Sequence, residues 1–290
     1  MTALKPATIH PSAYFLRSRR MTENVVGEWN RLGEQMRFYL TAIRLVPVAA
    51  RQYPTETMRV IAQMGMGSGA LAVIGGAVGV FVLLLGATGS LVGVQGYNQF
   101  ASIGVEALTG LAGGIVNIRF IVPGTAAVAL SATIGAGATA QLGAMRINEE
   151  IDALEAMGIR SIAYLASTRV IAGTVVVIPL FCVAAIMGFF AARVTTTVIY
   201  GQAAGVYDHY FHTFLNPTDV IWSFIESVAL TVIVMLLHTF YGFNAAGGPS
   251  GVGEAVGRSV RSSLVVSGTV LVLLTLAIYG QSGNIHLAGG

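Results

Sequence analysis

Long stretches without a charged side chain restrict what this sequence can fold into. Residues 60–105, 120–145 and 170–192 contain no Asp, Glu, Lys or Arg. A bilayer core is crossed by about 20 apolar helical residues, whose backbone groups bond within their own helix. Only 10% of all residues are charged, against roughly 25% in a soluble domain. The chain is therefore predicted to be an all-α integral membrane protein.

About five membrane-spanning helices are predicted. Four of them are clear from the apolar runs, at residues 70–94, 170–192, 220–240 and 264–280. Residues 101–145 carry Glu106, Arg119 and Pro123 before a clean apolar run. Two interpretations remain open there, one long kinked span or a partly inserted helix followed by a span. The stretch "QGYNQF", residues 95–100, is predicted to be the turn after the first span.

Residues 1–59 are predicted to form a cytoplasmic region with an amphipathic interfacial helix, before a transmembrane domain at residues 60–290. Apolar side chains recur there at steps of three and four, at Val25, Trp29, Leu32, Met36, Leu40 and Ile43. The charged Arg31, Glu34, Arg37 and Arg44 lie between them. This pattern is typical of a helix at the membrane surface, and a soluble helix on a partner subunit is the alternative. Pro47 and Pro54 are expected to interrupt the helix.

The placement of basic residues predicts the orientation, because cytoplasmic loops are rich in Lys and Arg. If residues 1–59 are cytoplasmic, all basic residues except Arg119 and Arg193 fall on the cytoplasmic side. The loop at residues 241–261 lies on that side too. Five crossings then place the C-terminus outside.

The segment "NEEIDALEAMG", residues 148–158, is the most acidic part of the chain and falls on the cytoplasmic side. Asn148 is expected to cap a three-turn helix and Gly158 to end it. Ile147, Ile151, Leu154 and Met157 share its apolar face. The segment is either an ordinary acidic loop helix or a docking helix for a partner with a basic-rimmed groove. The candidate docking residues are Asn148, Glu149, Glu150, Ile151, Asp152, Leu154, Glu155, Met157 and Gly158.

Several kinds of chemistry find no support in the sequence. A P-loop needs a lysine after its glycines, and the only lysine is Lys5. Asp208, His209 and His212 share a helical face, but their aromatic neighbours favour an interfacial helix, so no metal site is predicted. His238 is read as a satisfied interfacial histidine and Cys182 as a small core residue. No catalytic residue, cofactor or nucleic-acid surface is expected.

Two further features of the spans leave alternatives open. Glu106, Arg119 and Glu226 are ionisable groups at or near membrane depth, which serve either a functional or a structural purpose. Small residues recur at four-residue steps and allow close helix contact, within one subunit or between two. The sets are Gly75/Gly79, Gly89/Gly93, Gly110/Gly114 and Ala132/Ala136/Ala140/Ala144.

A family resemblance follows from three motifs. "GATAQLGAMRINEEIDALEAMGI", residues 137–159, resembles the signature of the MlaE/YrbE permeases, the lipid-transport subunits of ABC systems. "GVQGY" at residues 93–97 and "YGFNAAGGPSGVGEAVGRSV" from Tyr241 resemble that family's first turn and last cytoplasmic loop. The resemblance covers about residues 50–280. It is closest to the B-type actinobacterial YrbE permeases of Mce lipid-transport systems.

The resemblance implies a function without catalysis by this chain. Such a permease pairs with a second YrbE-type permease and binds a cytoplasmic ATPase dimer, which holds ATP and Mg. Residues 148–158 match the coupling helix, and external Mce-domain proteins form a lipid conduit. The implied role is to move a fatty acid, sterol or phospholipid between that conduit and the bacterial inner membrane, as import. The lipid-path candidates are Gln95, Glu106, Arg119, Phe120 and Glu226.

Three positions depart from the family pattern. Phe120 and Gln141 stand where many relatives have glutamate, and Thr133 where they have arginine. Either the lipid is less polar than a phospholipid, or the partner permease supplies the missing charges in an asymmetric dimer. We favour the second interpretation. Two other classes remain open, an ion- or proton-coupled carrier built on Glu106, Arg119 and Glu226, and a structural anchor for an external complex.

Overall fold

The structure is a computed structural model that describes residues 29–30, 32–66 and 76–280, and within these ranges every regular element is helical. Three short helices come first, α1 at residues 32–44, α2 at Val46–Gln52 and α3 at Pro54–Met66. Pro47 lies in the first turn of α2 and Pro54 begins α3. The predicted interruptions are confirmed, because proline lacks the N–H that a helix interior requires. α3 runs through the boundary predicted at residue 59.

Five of the described helices are long and apolar enough to cross a membrane, which confirms the predicted fold class. They are α4 (Gly76–Ala101), α5 (Glu106–Ile147), α7 (Ile162–Ile199), α9 (Pro217–Phe243) and α10 (Gly248–Tyr279). Two shorter helices connect them, α6 (Glu150–Ala156) and α8 (Ala204–Phe214). Because α6 and α8 follow α5 and α7, they lie at opposite ends of the bundle.

Two predicted loops are wrong. Residues 95–100 continue α4, and the turn falls at residues 102–105, where Gly104 has φ +74°. Gln and Asn side chains do not end a helix that is leaving the membrane, whereas the left-handed glycine does. Most of residues 241–261 is likewise helical, since α9 ends at Phe243 and α10 begins at Gly248. The fifth span therefore begins well before the predicted residue 264.

α5 is one continuous helix, which decides between the two interpretations of residues 101–145. It contains two stretches of wide turns, at Ala112–Ile121 and Ser131–Gly135. The first stretch ends just before Pro123, which offers no N–H to the carbonyl four residues back. Wide turns re-satisfy backbone groups that a proline leaves unpaired in a membrane helix.

The predicted glycine pairs divide between several contacts. Gly89 packs on α7, where an added Cβ would lie 2.9 Å from Gly188 Cα, and Gly93 packs on Ala192. Gly110 packs on the backbone of α8. Gly75 lies outside the described residues. The alanine series is half-buried or exposed on α5, so that face is not covered within the described chain.

α1 has two apolar faces. Phe38 and Ala42 are buried, and the Phe38 ring lies 5.5 Å from each of the Phe240 and Phe243 rings of α9. The predicted apolar stripe faces away from the bundle, with Trp29, Leu32, Met36, Leu40 and Ile43 all exposed. Val25 and Arg31 lie outside the described residues. An exposed apolar stripe beside five spans fits a position at the membrane surface.

His238 is fully buried where α5, α9 and α10 meet. Its Nδ1 lies 2.8 Å from Thr139 Oγ1, and its Nε2 lies 3.1 Å from Ser131 Oγ and 3.2 Å from Ser263 Oγ. The sequence interpretation of a satisfied histidine is correct, and the ring lies inside the bundle five residues before the end of α9. Buried polar groups bonded in this way join three helices without an unpaired atom on the ring.

Replacing Gly135 with alanine is expected to destabilise this junction. An added Cβ would lie 2.6 Å from His238 Cδ2, so the ring or the helix must move. Overpacking of this kind costs about 1–3 kcal/mol. Gly137→Ala is the matched control, because no atom lies within 4 Å of its added Cβ. Thermal unfolding in detergent should separate the two variants, and equal melting temperatures would contradict the expectation.

Candidate functional site

The acidic segment forms α6, a seven-residue helix rather than the predicted three turns. The predicted N-cap is also wrong. α5 continues through Ile147, and the Asn148 N–H donates to Ala144 O, so Asn148 closes α5. Glu149 precedes α6 in the left-handed region with φ 60°, which turns the chain between the two helices.

The end of α6 follows the prediction. Gly158 has φ +76°, its N–H donates to Glu155 O, and the Ile159 N–H donates to Leu154 O. This is the Schellman arrangement, in which a glycine takes the left-handed position after a helix. The following residues therefore leave α6 toward α7 in a defined direction.

Gly158→Ala is expected to loosen this helix end without a steric clash. No atom lies within 4 Å of the added Cβ, so the cost is the left-handed backbone alone. That cost is roughly 1–2 kcal/mol for a residue with a Cβ. Hydrogen exchange of residues 150–158 should accelerate in the variant. Unchanged exchange there would show that the turn tolerates a side chain.

One face of α6 is fixed to the bundle. Ile151 is fully buried against Leu142 of α5 and Leu165 of α7, and Leu154 is half-buried beside them. Met157, predicted on this apolar face, is instead 67% exposed, and Ile147 belongs to α5. Both residues differ from the prediction because α6 begins later than predicted, so that a different set of side chains faces the bundle.

The four acids of the segment have different surroundings. Asp152 Oδ1 accepts from Arg146 Nη1 at 2.6 Å, and Glu155 Oε1 accepts from Ser161 Oγ at 2.5 Å. Glu149 and Glu150 are exposed. The face that points away from the bundle combines Glu150, Ala153 and Met157, one acid beside two apolar side chains. Such a mixed polar and apolar face, on a helix that is fixed to the bundle by its other face, is suited to binding a partner protein.

Arg119 is held in a buried ion pair at the α8 end of the bundle. Its Nη2 and Nε lie 2.8 and 3.0 Å from Asp219 Oδ2, and its Cζ lies 4.4 Å from the centroid of the Tyr279 ring. Sequence reasoning missed Asp219. The available signal was its position in the first turn of α9, after the N-cap Asn216. The pair joins α5, α9 and α10.

Glu226 and Glu106 lie apart in the structure. Glu226 is fully buried on α9, with Thr275 Oγ1 of α10 at 3.5 Å from its Oε1 and no partner within the described chain for its Oε2. Glu106 is exposed at the start of α5. The three ionisable candidates therefore do not form one cluster, although Arg119 and Glu226 both approach the last turns of α10.

Gln95 lines an apolar groove of about 390 Å³ between α4 and α5. Its other walls include Val92, Ala112 and Val116. Phe120 lies next to the groove residue Ile121 and is 45% exposed. Of the five lipid-path candidates, only Gln95 is among the residues that line this groove, which is large enough for an acyl chain.

Asp208 pairs with Arg193, at 2.7 and 2.8 Å, and the guanidinium lowers the pKa of this carboxyl below its ordinary value. Both residues are half-buried, and the pair holds α8 to the end of α7. Across residues 29–30, 32–66 and 76–280, no three His, Cys, Asp or Glu side chains are grouped to hold a metal ion. α8 packs on Gly110 of α5 through its backbone.

Five long apolar helices, with a short helix between the second and third, indicate a multi-pass membrane protein. Comparison with protein families makes this specific, because the family model described as Permease MlaE matches residues 66–277. The chain belongs to the MlaE family of ABC transporter permeases.

Individual relatives agree with this membership. A probable ABC transporter permease protein of Rickettsia bellii is 25% identical over 197 residues, covering 65% of this chain and 71% of the relative. One from Synechocystis is 26% identical over 187 residues, covering 63% and 70%. The chloroplastic protein TRIGALACTOSYLDIACYLGLYCEROL 1 of Arabidopsis thaliana is 26% identical over 172 residues, covering 59% of this chain. That alignment spans only about half the Arabidopsis protein, 49%.

Proposed function

We propose that this chain is the membrane subunit of an Mce-type lipid importer, driven by a separate ATPase that binds α6. The observation that carries the proposal is the two-sided structure of α6. Ile151 fixes one face between α5 and α7, while Glu150, Ala153 and Met157 are left exposed on the other. The name of the Arabidopsis relative refers to a galactolipid, which supports a lipid substrate.

The packing of α6 gives a route for movement. A partner that pulls or tilts α6 displaces Leu142 and Leu165 together, because Ile151 is packed against both. The His238 junction then joins the movement of α5 to α9 and α10. ATP and Mg are bound by the partner ATPase, and this chain contributes no catalytic residue.

The second subunit of the proposed dimer is another YrbE-type permease. The alanine series on α5 supports a close helix contact, since Ala132 and Ala144 are exposed and small side chains allow backbones to approach. Phe120, Thr133 and Gln141 are the positions at which the partner would supply charges. In the proposed arrangement α1 and α6 lie on the cytoplasmic side of a bacterial inner membrane, and α8 and Tyr279 lie on the outer side.

The lipid is proposed to enter from external Mce proteins at the α8 end and to reach the groove of Gln95. The groove lies between α4 and α5, and its lining residues Val116 and Ile121 put it near the level of the Arg119–Asp219 pair. Apolar walls suit acyl chains or a sterol. Glu226 lies elsewhere, buried between α9 and α10.

Purification of the chain from its native membranes tests this function. We expect an ABC ATPase, a second permease, Mce-domain proteins and lipid to co-purify, and Glu149→Lys/Glu150→Lys/Asp152→Lys to lose the ATPase while staying folded. Glu254→Lys is a control on α10, where Glu254 pairs with Arg258. An ion-coupled carrier would keep transporting after charge reversal, and a structural anchor would show no transport to lose.

A further inference from the structure

Two arginines each stand directly before a long uncharged run. Arg59 precedes residues 60–105, and Arg169 precedes residues 170–192. The structure brings these two positions together, because α3 packs along the first half of α7. The Tyr53 and Tyr164 rings meet edge-on at 5.1 Å beside them. Both arginines therefore lie where the α3–α7 seam enters the apolar layer, on the α6 side of the bundle.

The charges at this position are unequal. Arg59 donates to both carboxylate oxygens of Glu56, at 2.8 and 2.6 Å, so these two charges cancel. Arg169 is only 3% exposed, and its Nη1 donates to the carbonyl of Leu165 at 2.9 Å. Within the described ranges, its Nε has no hydrogen-bond partner and no carboxylate lies within 4.0 Å of its guanidinium. Arg59, Glu56 and Arg169 together therefore carry one net positive charge.

Glu56 is near enough to attract Arg169 as well as Arg59, and it compensates only one of the two arginines. A net positive charge at membrane depth is costly and favours the binding of an anion. The fixed fork of a guanidinium matches phosphate oxygens particularly well. Arg59, whose side chain is 62% exposed, stands at the mouth of the seam in front of the buried Arg169. An anionic group at the mouth would be held by Arg59 and attracted by the excess charge behind it.

An apolar groove of about 380 Å³ continues the same seam toward the middle of the bilayer. Ala62 and Met66 line it from α3, three and seven residues after Arg59, so they lie on the same side of that helix. Val176 lines it from α7, seven residues after Arg169. Pro179 and Val183 extend the wall. The groove is separate from the one lined by Gln95.

We propose that the α3–α7 seam binds one anionic glycerophospholipid, with its phosphate held by the exposed Arg59 in front of the buried Arg169 and one acyl chain in the groove of Ala62 and Met66. The combination selects a lipid over a free anion, since the apolar groove follows the two arginines along the same sides of α3 and α7. This site is additional to the proposed transport path, and it lies in the leaflet on the α6 side.

Native mass spectrometry of the full complex, released from nanodiscs containing phosphatidylglycerol, tests the site without ATP or transport. We expect one retained phosphatidylglycerol per chain, and about tenfold weaker retention in Arg169→Gln and in Arg59→Gln. Arg160→Gln is the matched control, because it removes an exposed positive charge on the same side of the bundle. Equal retention in Arg169→Gln and wild type, or equal loss in Arg160→Gln, would overturn the proposal.

Ala62→Phe provides an independent test if the arginine variants fold poorly. Ala62 is exposed and lines the groove, so the larger ring fills it while both arginines remain. The lipid should be lost from this variant as well, and full retention would refute the proposal that an acyl chain occupies the groove. Nanodiscs of phosphatidylcholine should leave the site largely empty. Millimolar inorganic phosphate should not displace the lipid, and displacement would mean that the site binds a free anion.

Discussion

Arg119→Ala is expected to be the most destabilising single substitution in the bundle. It would leave Asp219, whose side chain is 9% exposed, as an unpaired carboxylate between three helices. Removing one partner of a buried ion pair costs about 3–5 kcal/mol, because the other charge stays buried without compensation. The Tyr279 ring would also lose the guanidinium that lies over it. Thermal unfolding and size-exclusion profiles in mild detergent measure the loss.

The double variant Arg119→Met/Asp219→Leu separates ion pairing from packing. Apolar side chains of similar volume leave no unpaired charge, so most of the lost stability should return. Transport by the double variant then reports whether the pair also acts on lipid. If Arg119→Ala alone melts like the wild-type chain, the pair is not a buried structural contact in the membrane.

Met157→Asp is expected to weaken binding of the partner ATPase by about 30-fold. Met157 is two-thirds exposed at the end of α6, so the chain itself should fold normally. At the centre of an interface the introduced carboxylate would be desolvated without a partner, and truncation of such central side chains costs about 2 kcal/mol or more. Binding of purified ATPase to the permease in nanodiscs measures the change directly.

Two companion variants sharpen that experiment. Met157→Leu keeps an apolar side chain of similar volume and should bind as the wild type does. Glu150→Gln removes one exposed charge from the same face, and its effect should grow at low salt if basic residues of the ATPase face it. A normal affinity for Met157→Asp would mean that the ATPase does not contact the end of α6.

The number of spans could be predicted because uncharged runs have few alternatives in a membrane. Their ends could not, because helices extend past the apolar layer until a residue stops them. Residues 95–100 are polar enough to suggest a turn, yet α4 ends only where Gly104 takes φ +74°. In the same way α10 begins at Gly248, sixteen residues before its predicted start at residue 264, and both Gly247 and Gly248 have positive φ there.

The features of the site could be predicted where adjacent residues encode them, and could not where they depend on distant parts of the chain. The Gly158 end of α6 is encoded by adjacent residues and follows the prediction. The N-terminal end depends on how far α5 runs, which the segment itself does not contain. Asp219 is a hundred residues from Arg119 along the chain, and no local pattern links them. The excess charge of Arg169 likewise becomes visible only after Glu56 is seen to bind Arg59.

The wide turns at Ser131–Gly135 have a consequence for the imidazole of His238. Each residue of a regular α-helix advances the direction of its side chain by about 100°. Eight residues would therefore leave Ser131 and Thr139 about 80° apart, too far around the helix for one ring. A wide turn absorbs one residue and reduces the difference to about 20°. Both hydroxyls thus reach the same imidazole, and straightening α5 would require it to release one of them.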